Sequence, residues 1–547
     1  MIIDEIKKII DSSLKENNFP LIDYNIDQSK FLKFGDFNTN VAMVLKKENG
    51  FKEMNPIEIA NKIVEKIDNS IFLKIEVVKP GFINFTMKSN TFKTLFFEIN
   101  KEKDNFPNFP RKNEIASIEY VSANPTGYLH IGHGRNAMFG EVTSRLYDKV
   151  GYDVIRDYVV NDAGNQMNIL ASSVLVRYLQ SYNLPVELPQ DSYHGEEIVY
   201  VASKLKEKYG DEFINLKIND QFLIEDDDAR FEIRWFARNI LLDQIKNDLS
   251  KLDIYIDEYF SEQSTHDEPK KIEHLLDKLK DSLYKKDGAL WFKSTNYLDD
   301  KDRVLIKSNG LMTYFLPDIY YHDYKFTRNE KVTQAVIVLG SDHYGYTNRV
   351  KAVLTALGHK NIDEKYKFLF IQMVKLTKNG QEFKMSKRSG QSLVLSDLIE
   401  LLGKEITKWN LISASNNSHL EIDIDVATKE DNNNSYYYIK YANVRANKIL
   451  EKANFVFKDN LNYDSLNSEV ERNLINAMQF FKQTIIYTFK NLDIQKLVNY
   501  VLTVAKLIHT YLEQLRIDEK IADQQLTLIY CAQIVLKNTL NLLNIKI

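Results

Sequence analysis

Two histidines bracket a glycine in the stretch Asn124-Pro125-Thr126-Gly127-Tyr128-Leu129-His130-Ile131-Gly132-His133. The pattern reads as a strand end passing through a glycine-containing turn into a helix. Such a turn brings backbone N–H groups and a helix N-terminus against a phosphate, and the imidazoles of His130 and His133 can donate hydrogen bonds to charge building on phosphorus. A lone histidine is ordinarily a hydrogen-bonded structural residue. The H-x-G-H spacing, with Pro125, Gly127 and Gly132 around it, points to chemistry instead. Far downstream lies Lys384-Met385-Ser386-Lys387-Arg388-Ser389-Gly390, which taken alone reads as a solvated basic loop. In this order the two elements indicate ATP chemistry at the α-phosphate without a Walker loop.

The elements that must position these residues follow from the hydrophobic periods. Ile115 to Ser122 reads as a strand, Gly132 to Val150 as a helix and Tyr152 to Val160 as a second strand, an alternation that predicts a parallel sheet flanked by helices. Long charged helical patterns interrupt it over about residues 171–290, and alternation resumes with Val332 to Gly340, Lys351 to Leu357 and Phe368 to Lys375. An insertion inside one nucleotide-binding sheet accounts for this. Ahead of it, helix patterns (Met1 to Glu16, Pro56 to Asn69) mix with strands on either side of the Lys79-Pro80-Gly81 turn. After about residue 396 the periods are helical and long. The expected class is therefore α/β: a Rossmann-like parallel-sheet catalytic domain (109–395) carrying a helical insertion, a small N-terminal α+β domain (1–108) and a C-terminal all-α helical bundle (396–547).

Composition narrows the setting. The chain has 547 residues, of which 44% are hydrophobic, enough for several cores. No apolar run nears the length of about 18 residues that a membrane span needs, so no membrane partner is expected. The single cysteine, Cys531, excludes an internal disulfide and a cysteine-ligated zinc site, and a cytoplasmic location is expected. A net charge of −4 announces no general nucleic-acid field, so any RNA must be held by discrete contacts.

Seven blocks in order resemble the arginyl-tRNA synthetases, a family of class I aminoacyl-tRNA synthetases. They are Glu119-Tyr120-Val121-Ser122-Ala123-Asn124-Pro125-Thr126-Gly127, Tyr158 to Gln166, Asp299 to Leu305, Thr313-Tyr314-Phe315-Leu316-Pro317-Asp318, Gly340-Ser341-Asp342-His343-Tyr344-Gly345-Tyr346, Gly35-Asp36-Phe37-Asn38-Thr39-Asn40 and Pro80 to Phe85. The likeness runs over nearly the whole chain. It implies an ATP-dependent ligase that forms arginyl-adenylate and then esterifies tRNA(Arg). His130, His133, Lys384 and Lys387 would be catalytic, with Gly127, Gly132, Met385 and Ser386 around ATP, and the lysine loop would close over the nucleotide. Mg²⁺ is expected on the ATP phosphates, with no protein-bound metal and no zinc.

The resemblance also places Glu119, Ser122, Asn124, Tyr314, Asp318 and Asp342 around L-arginine. Acids and a phenol suit a planar, permanently charged guanidinium, which wants carboxylates set for paired hydrogen bonds. Tyr436, Tyr438, Tyr441, Asn443 and Arg445 would face the anticodon, where aromatics and a guanidinium suit splayed bases, although a tyrosine stripe at helical spacing is more often core. A monomer is expected. Two other readings remain: a nucleotidylyltransferase, which also uses H-x-G-H on such a sheet, and a tRNA-binding protein that keeps the fold without turnover.

Overall fold

The computed structural model describes residues 2–29, 32–383, 394–515 and 521–547. The chain packs into two compact units, Pro110–Lys429 and Met1–Phe109 with Glu430–Ile547.

The first of these is built on a five-stranded parallel sheet in the order Tyr366–Ile371, Val332–Gly340, Ile115–Glu119, Asp153–Val160, Glu258–Ser261. Ile115–Glu119 is buried over all but its first residue, as a strand covered on both faces must be. From it the chain winds one way through Asp153–Val160 and Glu258–Ser261, then restarts on the other side with Val332–Gly340. The reversal falls between Ile115–Glu119 and Val332–Gly340, so a crevice opens at their carboxyl ends, where doubly wound sheets bind ligands. The fifth strand, Glu258–Ser261, comes from within the stretch whose sequence reads as a helical insertion.

The histidine helix, Ile131–Lys149, follows that central strand. Its close approach to the sheet needs a glycine: a Cβ on Gly140 would fall 2.1 Å from Cγ of Tyr120. The helices Asn165–Gln180, Glu196–Tyr209 and Asp227–Lys251 share a separate apolar core that includes Leu170, Val174, Val201, Leu205, Ile233 and Leu241. An antiparallel three-stranded sheet precedes the helix Phe315–Thr327. A small sheet pairs Val374–Lys378 with Gln381–Glu382 and Leu420–Asp423. The helices Leu395–Leu402 and Lys404–Ile412 belong to this unit.

In the other unit a four-stranded antiparallel sheet, ordered Ile26–Gln28, Phe37–Thr39, Phe82–Met87, Phe72–Val78, packs with helices on the helical bundle Ser435–Lys452, Glu469–Gln479, Phe481–Asn491, Ile494–Gln514 and Asp523–Leu542. Their junction is polar at its centre. Asp36, fully buried, accepts from the Met87 backbone N–H at 2.7 Å, from Arg472 Nε at 3.0 Å and from Asn476 Nδ2 at 3.2 Å. Asn538 Nδ2 donates to the carbonyls of Lys103 and Phe106 at 2.8 Å each.

Among the described residues no helix is long and apolar enough to cross a membrane.

Candidate active site

The histidine turn is held from both sides. The Val121 N–H donates to Asn136 Oδ1 at 2.7 Å, and Asn136 Nδ2 donates to the Val338 carbonyl at 2.9 Å, so one amide bridges the two strands that flank the crevice. Val121 and Ser122 both adopt left-handed backbone (φ 69° and 39°), which a β-branched residue reaches only when its surroundings impose it. Tyr158 Oη donates to the Ala123 carbonyl at 2.7 Å.

His130 is the N-cap of the histidine helix, and the two imidazoles cap it reciprocally. The His133 N–H donates to His130 Nδ1 at 3.2 Å and the His130 N–H to His133 Nδ1 at 3.3 Å. The rings stack with centroids 3.5 Å apart. A Cβ on Gly132 would lie 2.9 Å from His130 Cε1, so this glycine makes room for the histidine ring itself. Loss of water lowers the pKa of both histidines, and the neighbouring His130 lowers that of His133 further, to about 3. Both are neutral near pH 7. With each Nδ1 accepting from backbone, each proton sits on Nε2, leaving two neutral N–H donors at a helix N-terminus. That is an anion-stabilising arrangement.

Of the lysine signature, Lys384, Met385, Ser386 and Lys387 lie outside the described residues. The chain immediately after them is fastened to the histidine turn: Val394 forms a β-bridge with His130, and the Leu395 N–H donates to the Leu129 carbonyl at 2.7 Å. Arg135, five residues after His130 and fully buried, donates to the carbonyls of Gln372, Ser415 and Ser418 at 2.8, 2.8 and 2.9 Å. It thereby ties the histidine helix to the small sheet.

The acids gather at the carboxyl end of the central strand. Glu119 is buried. Its Oε1 accepts from Ser122 Oγ at 3.0 Å, while its Oε2 has no hydrogen bond although Lys325 Nζ stands 3.1 Å away. Ser122 also accepts from the Val159 N–H at 3.0 Å, so it aligns Glu119 rather than merely lining a pocket. Lys325, fully buried, donates to Tyr321 Oη at 2.7 Å and lies 3.4 Å from Asp157 Oδ2. Arg328 grips Asp157 through two contacts of 2.7 Å and reaches Glu258 at 2.7 Å. Burial raises the Asp157 carboxyl, but Lys325 and Arg328 together bring it below its usual value. Three carboxylates against two cations leave this group with one surplus negative charge.

Asp318 adds to the deficit. It is pushed up to about 7, first by burial and then by the charges of Glu262 and Glu119, against the opposing hydrogen bond from Tyr346 and the charge of Arg349. A carboxyl raised by burial and, to a lesser degree, by neighbouring acids marks a site that a cation would stabilise. Tyr314 is the N-cap of the helix carrying Asp318; its ring is exposed and its hydroxyl lies 3.7 Å from where a Cβ of Gly164 would be. Asn124, also exposed, donates to Gln166 Oε1 at 3.1 Å. Asp342 follows the strand Val332–Gly340 but stays exposed, with His343 Nε2 3.4 Å away. Gly127 lies on the same turn, where a Cβ would be 3.4 Å from Glu197 Oε1. Glu119 and Asp318 are thus drawn into one charge cluster, and Asp342 stands apart from its buried part.

Sequence reasoning missed Asn136, Lys325, Tyr346 and Glu262. Lys325 had a signal, a lysine seven residues after Asp318 on a helix whose buried face it shares. Tyr346 closes the block Gly340 to Tyr346 and is legible there as part of a motif, while Asn136 and Glu262 have no signal.

In the bundle, Tyr436 is buried and donates to the Lys546 carbonyl at 3.3 Å, and Asn443 is buried and accepts from Gln533 Nε2 at 2.9 Å. Both serve the interior. Tyr438, packed on His509 at 4.5 Å between centroids, Tyr441, donating to the Glu430 carbonyl at 3.1 Å, and Arg445, 2.9 Å from His509 Nδ1, are half-buried and remain accessible.

A doubly wound sheet with an H-x-G-H turn at its switch point and a helical bundle in the same chain defines a class I aminoacyl-tRNA synthetase. Residues 98–458 match the family described as tRNA synthetases class I (R), catalytic domain; residues 2–87 match the arginyl tRNA synthetase N terminal domain and 439–547 the DALR anticodon binding domain. The chain is 44% identical over 524 residues to an arginine–tRNA ligase of Ureaplasma parvum, covering 95% of this chain and 94% of that protein. It is 39% identical to the arginine–tRNA ligase of Malacoplasma penetrans, over 100% and 98%. In fold it resembles the arginyl-tRNA synthetase of Thermus thermophilus, with a TM-score of 0.76, 18% identity and coverage of 100% and 99%. The chain belongs to the arginyl-tRNA synthetase family.

Proposed function

We propose that this chain is an arginine–tRNA ligase in which the Glu119–Asp318 acid cluster holds the guanidinium of L-arginine while His130 and His133 receive ATP. The observation that carries the reading is the surplus negative charge beside a neutral imidazole pair at one sheet switch point. Glu119 Oε2, which meets Lys325 but accepts no hydrogen bond, and Asp318, which burial and the acids Glu262 and Glu119 hold protonated, suit a further buried cation, and a planar fork of donors answers two carboxylates better than an ammonium does. Tyr314, Asn124 and Asp342 complete the rim.

In the first step an arginine carboxylate oxygen attacks the α-phosphorus in line, the bond to the bridging oxygen breaks and pyrophosphate departs. The Nε2–H groups of the histidines stabilise the charge on the α-phosphate, and Lys384 and Lys387, with Ser386 beside them, take up the charge of the leaving group. Mg²⁺ enters on the ATP phosphates. In the second step a ribose hydroxyl of the terminal adenosine of tRNA(Arg) attacks the activated carbonyl and AMP leaves. The functional division is Met1–Phe109 with Glu430–Ile547 for tRNA and Pro110–Lys429 for chemistry, since the helices Leu395–Leu402 and Lys404–Ile412 belong to the parallel-sheet unit and not to the bundle, and Tyr438, Tyr441 and Arg445 are the accessible anticodon contacts. A cytoplasmic monomer is the proposed state.

Pyrophosphate exchange into ATP, run with each amino acid and tRNA(Arg), tests this. Exchange with arginine and none with lysine or citrulline is expected. Exchange driven by another amino acid overturns the pocket assignment, and none with any amino acid leaves a tRNA-binding protein.

A further inference from the structure

Behind Asp318 lies a buried chain of hydrogen bonds that the reaction as described does not use. Tyr346 Oη contacts Asp318 Oδ2 at 3.1 Å, His322 Nε2 contacts Tyr346 Oη at 2.7 Å, and Tyr366 Oη contacts His322 Nδ1. His322 is buried and Tyr366 fully so. We propose that Tyr346, His322 and Tyr366 form a relay that sets the proton order at Asp318, so that arginine binding reverses the relay and expels a proton. This rests on the reading of Asp318 as an arginine ligand.

Donor bookkeeping gives the relay two states. An ionised Asp318 can only accept, so Tyr346 must donate to it and accept in turn from His322 Nε2–H, which leaves Nδ1 to accept from Tyr366. All three donors then point toward the carboxylate. A protonated Asp318 can donate to Tyr346, which turns every bond around and puts the imidazole proton on Nδ1, facing Tyr366. The ionised state pairs every donor of the relay, whereas the reversed state takes from the buried Tyr366 O–H its His322 acceptor; the relay therefore favours the ionised carboxylate while burial of Asp318 favours the protonated one. Burial and the charge of Lys325 lower His322 to about 3, keeping it neutral in both.

The groups facing Asp318 from the surrounding elements are Glu119 on the central strand, Glu262 after Glu258–Ser261, Arg349 on the helix Thr347–Ala356, and Tyr346. Two acids against one guanidinium favour the protonated form in the empty site. A substrate guanidinium reverses the balance and drives the proton out. His322 and Tyr346 are positioning residues on this account, because they act through Asp318.

The test is calorimetric binding of L-arginine to the full chain between pH 6 and 9, in buffers of differing ionisation enthalpy. Wild type should release about half a proton per arginine near pH 7 and almost none at pH 9, with affinity rising as the pH increases. Tyr346→Phe removes a hydrogen bond that favours the charged carboxylate. A midpoint displaced upward by about one pH unit would weaken arginine about fivefold at pH 7 and leave it near wild type above pH 9. His322→Leu should shift the midpoint the same way, and His322→Gln, which retains a donor for Tyr346, should restore much of it. A merely structural role would weaken binding equally at all pH values. Unchanged proton release and midpoint in Tyr346→Phe, with thermal unfolding unaltered, overturn the relay. Should Asp318→Asn bind arginine as wild type does, the arginine-site reading fails instead.

Discussion

At the scale of single residues, the site is a balance of buried charges. Glu119 is aligned by Ser122 and partly neutralised by Lys325, whose other neighbours, Asp157 and Tyr321, hold it in place. Asp318 has no such cation in contact, and its acidity records that. Its pKa in the folded protein, about 7, lies above the ordinary value of 3.8. The sign follows directly: the proton that the folded state keeps favours folding at low pH, and this advantage is lost as the pH rises through about 7. Asp318→Asn should therefore be more stable than wild type at pH 8, by about 1–2 kcal/mol after discounting for its partial access to water, and little changed near pH 4. Chemical denaturation at the two pH values measures this. Equal stability at pH 8 would mean that neither burial nor the neighbouring acids raise Asp318. The same variant should lose arginine, a case of function maintained at the expense of stability.

At the scale of elements, the histidine helix carries most of the constraint. Its N-terminus supplies the imidazoles, Asn136 fixes the strand end ahead of it, Arg135 ties it to the small sheet, and Gly140 lets it settle on Tyr120. A methyl group at Gly140 would meet the ring root of Tyr120, which has no flexible end to give way, so helix and sheet must part. Gly140→Ala should cost about 1–3 kcal/mol of stability, as overpacking does, and should also slow exchange, because the turn moves with the helix. An unchanged melting transition would show that the helix lies farther from the sheet. This helix is amphipathic only weakly and is buried almost throughout, which is why its sequence reads as a helix yet does not disclose which face meets the sheet.

At the scale of the whole molecule, the N-terminal sheet and the C-terminal bundle form one unit, joined at Asp36. The block Gly35 to Asn40 is one of those that resemble the arginyl-tRNA synthetases, and its aspartate is committed inward to Arg472, Asn476 and the Met87 backbone. Asp36→Ala strands a buried guanidinium and should cost about 3–5 kcal/mol. The expected sign is an earlier transition of this unit and proteolytic cleavage between residues 87 and 110, with arginine binding retained by the other unit. Simultaneous loss of arginine binding would mean that the two units unfold together.

What the sequence determined by itself was local: the strand–helix alternation, the turn with its paired histidines, the long helical periods of the bundle and the identity of the acids. These follow from period and from residue chemistry within a few neighbours. Tertiary structure alone decided the rest. Only folding places Lys325 against Glu119, sets Tyr346, His322 and Tyr366 in line behind Asp318, turns Tyr436 and Asn443 inward, and inserts Glu258–Ser261 as a fifth strand. Each of these depends on residues far apart in the chain being desolvated together. Charge and hydrogen bonding then acquire their strength from the low-dielectric surroundings that both partners share, and no single segment contains that environment.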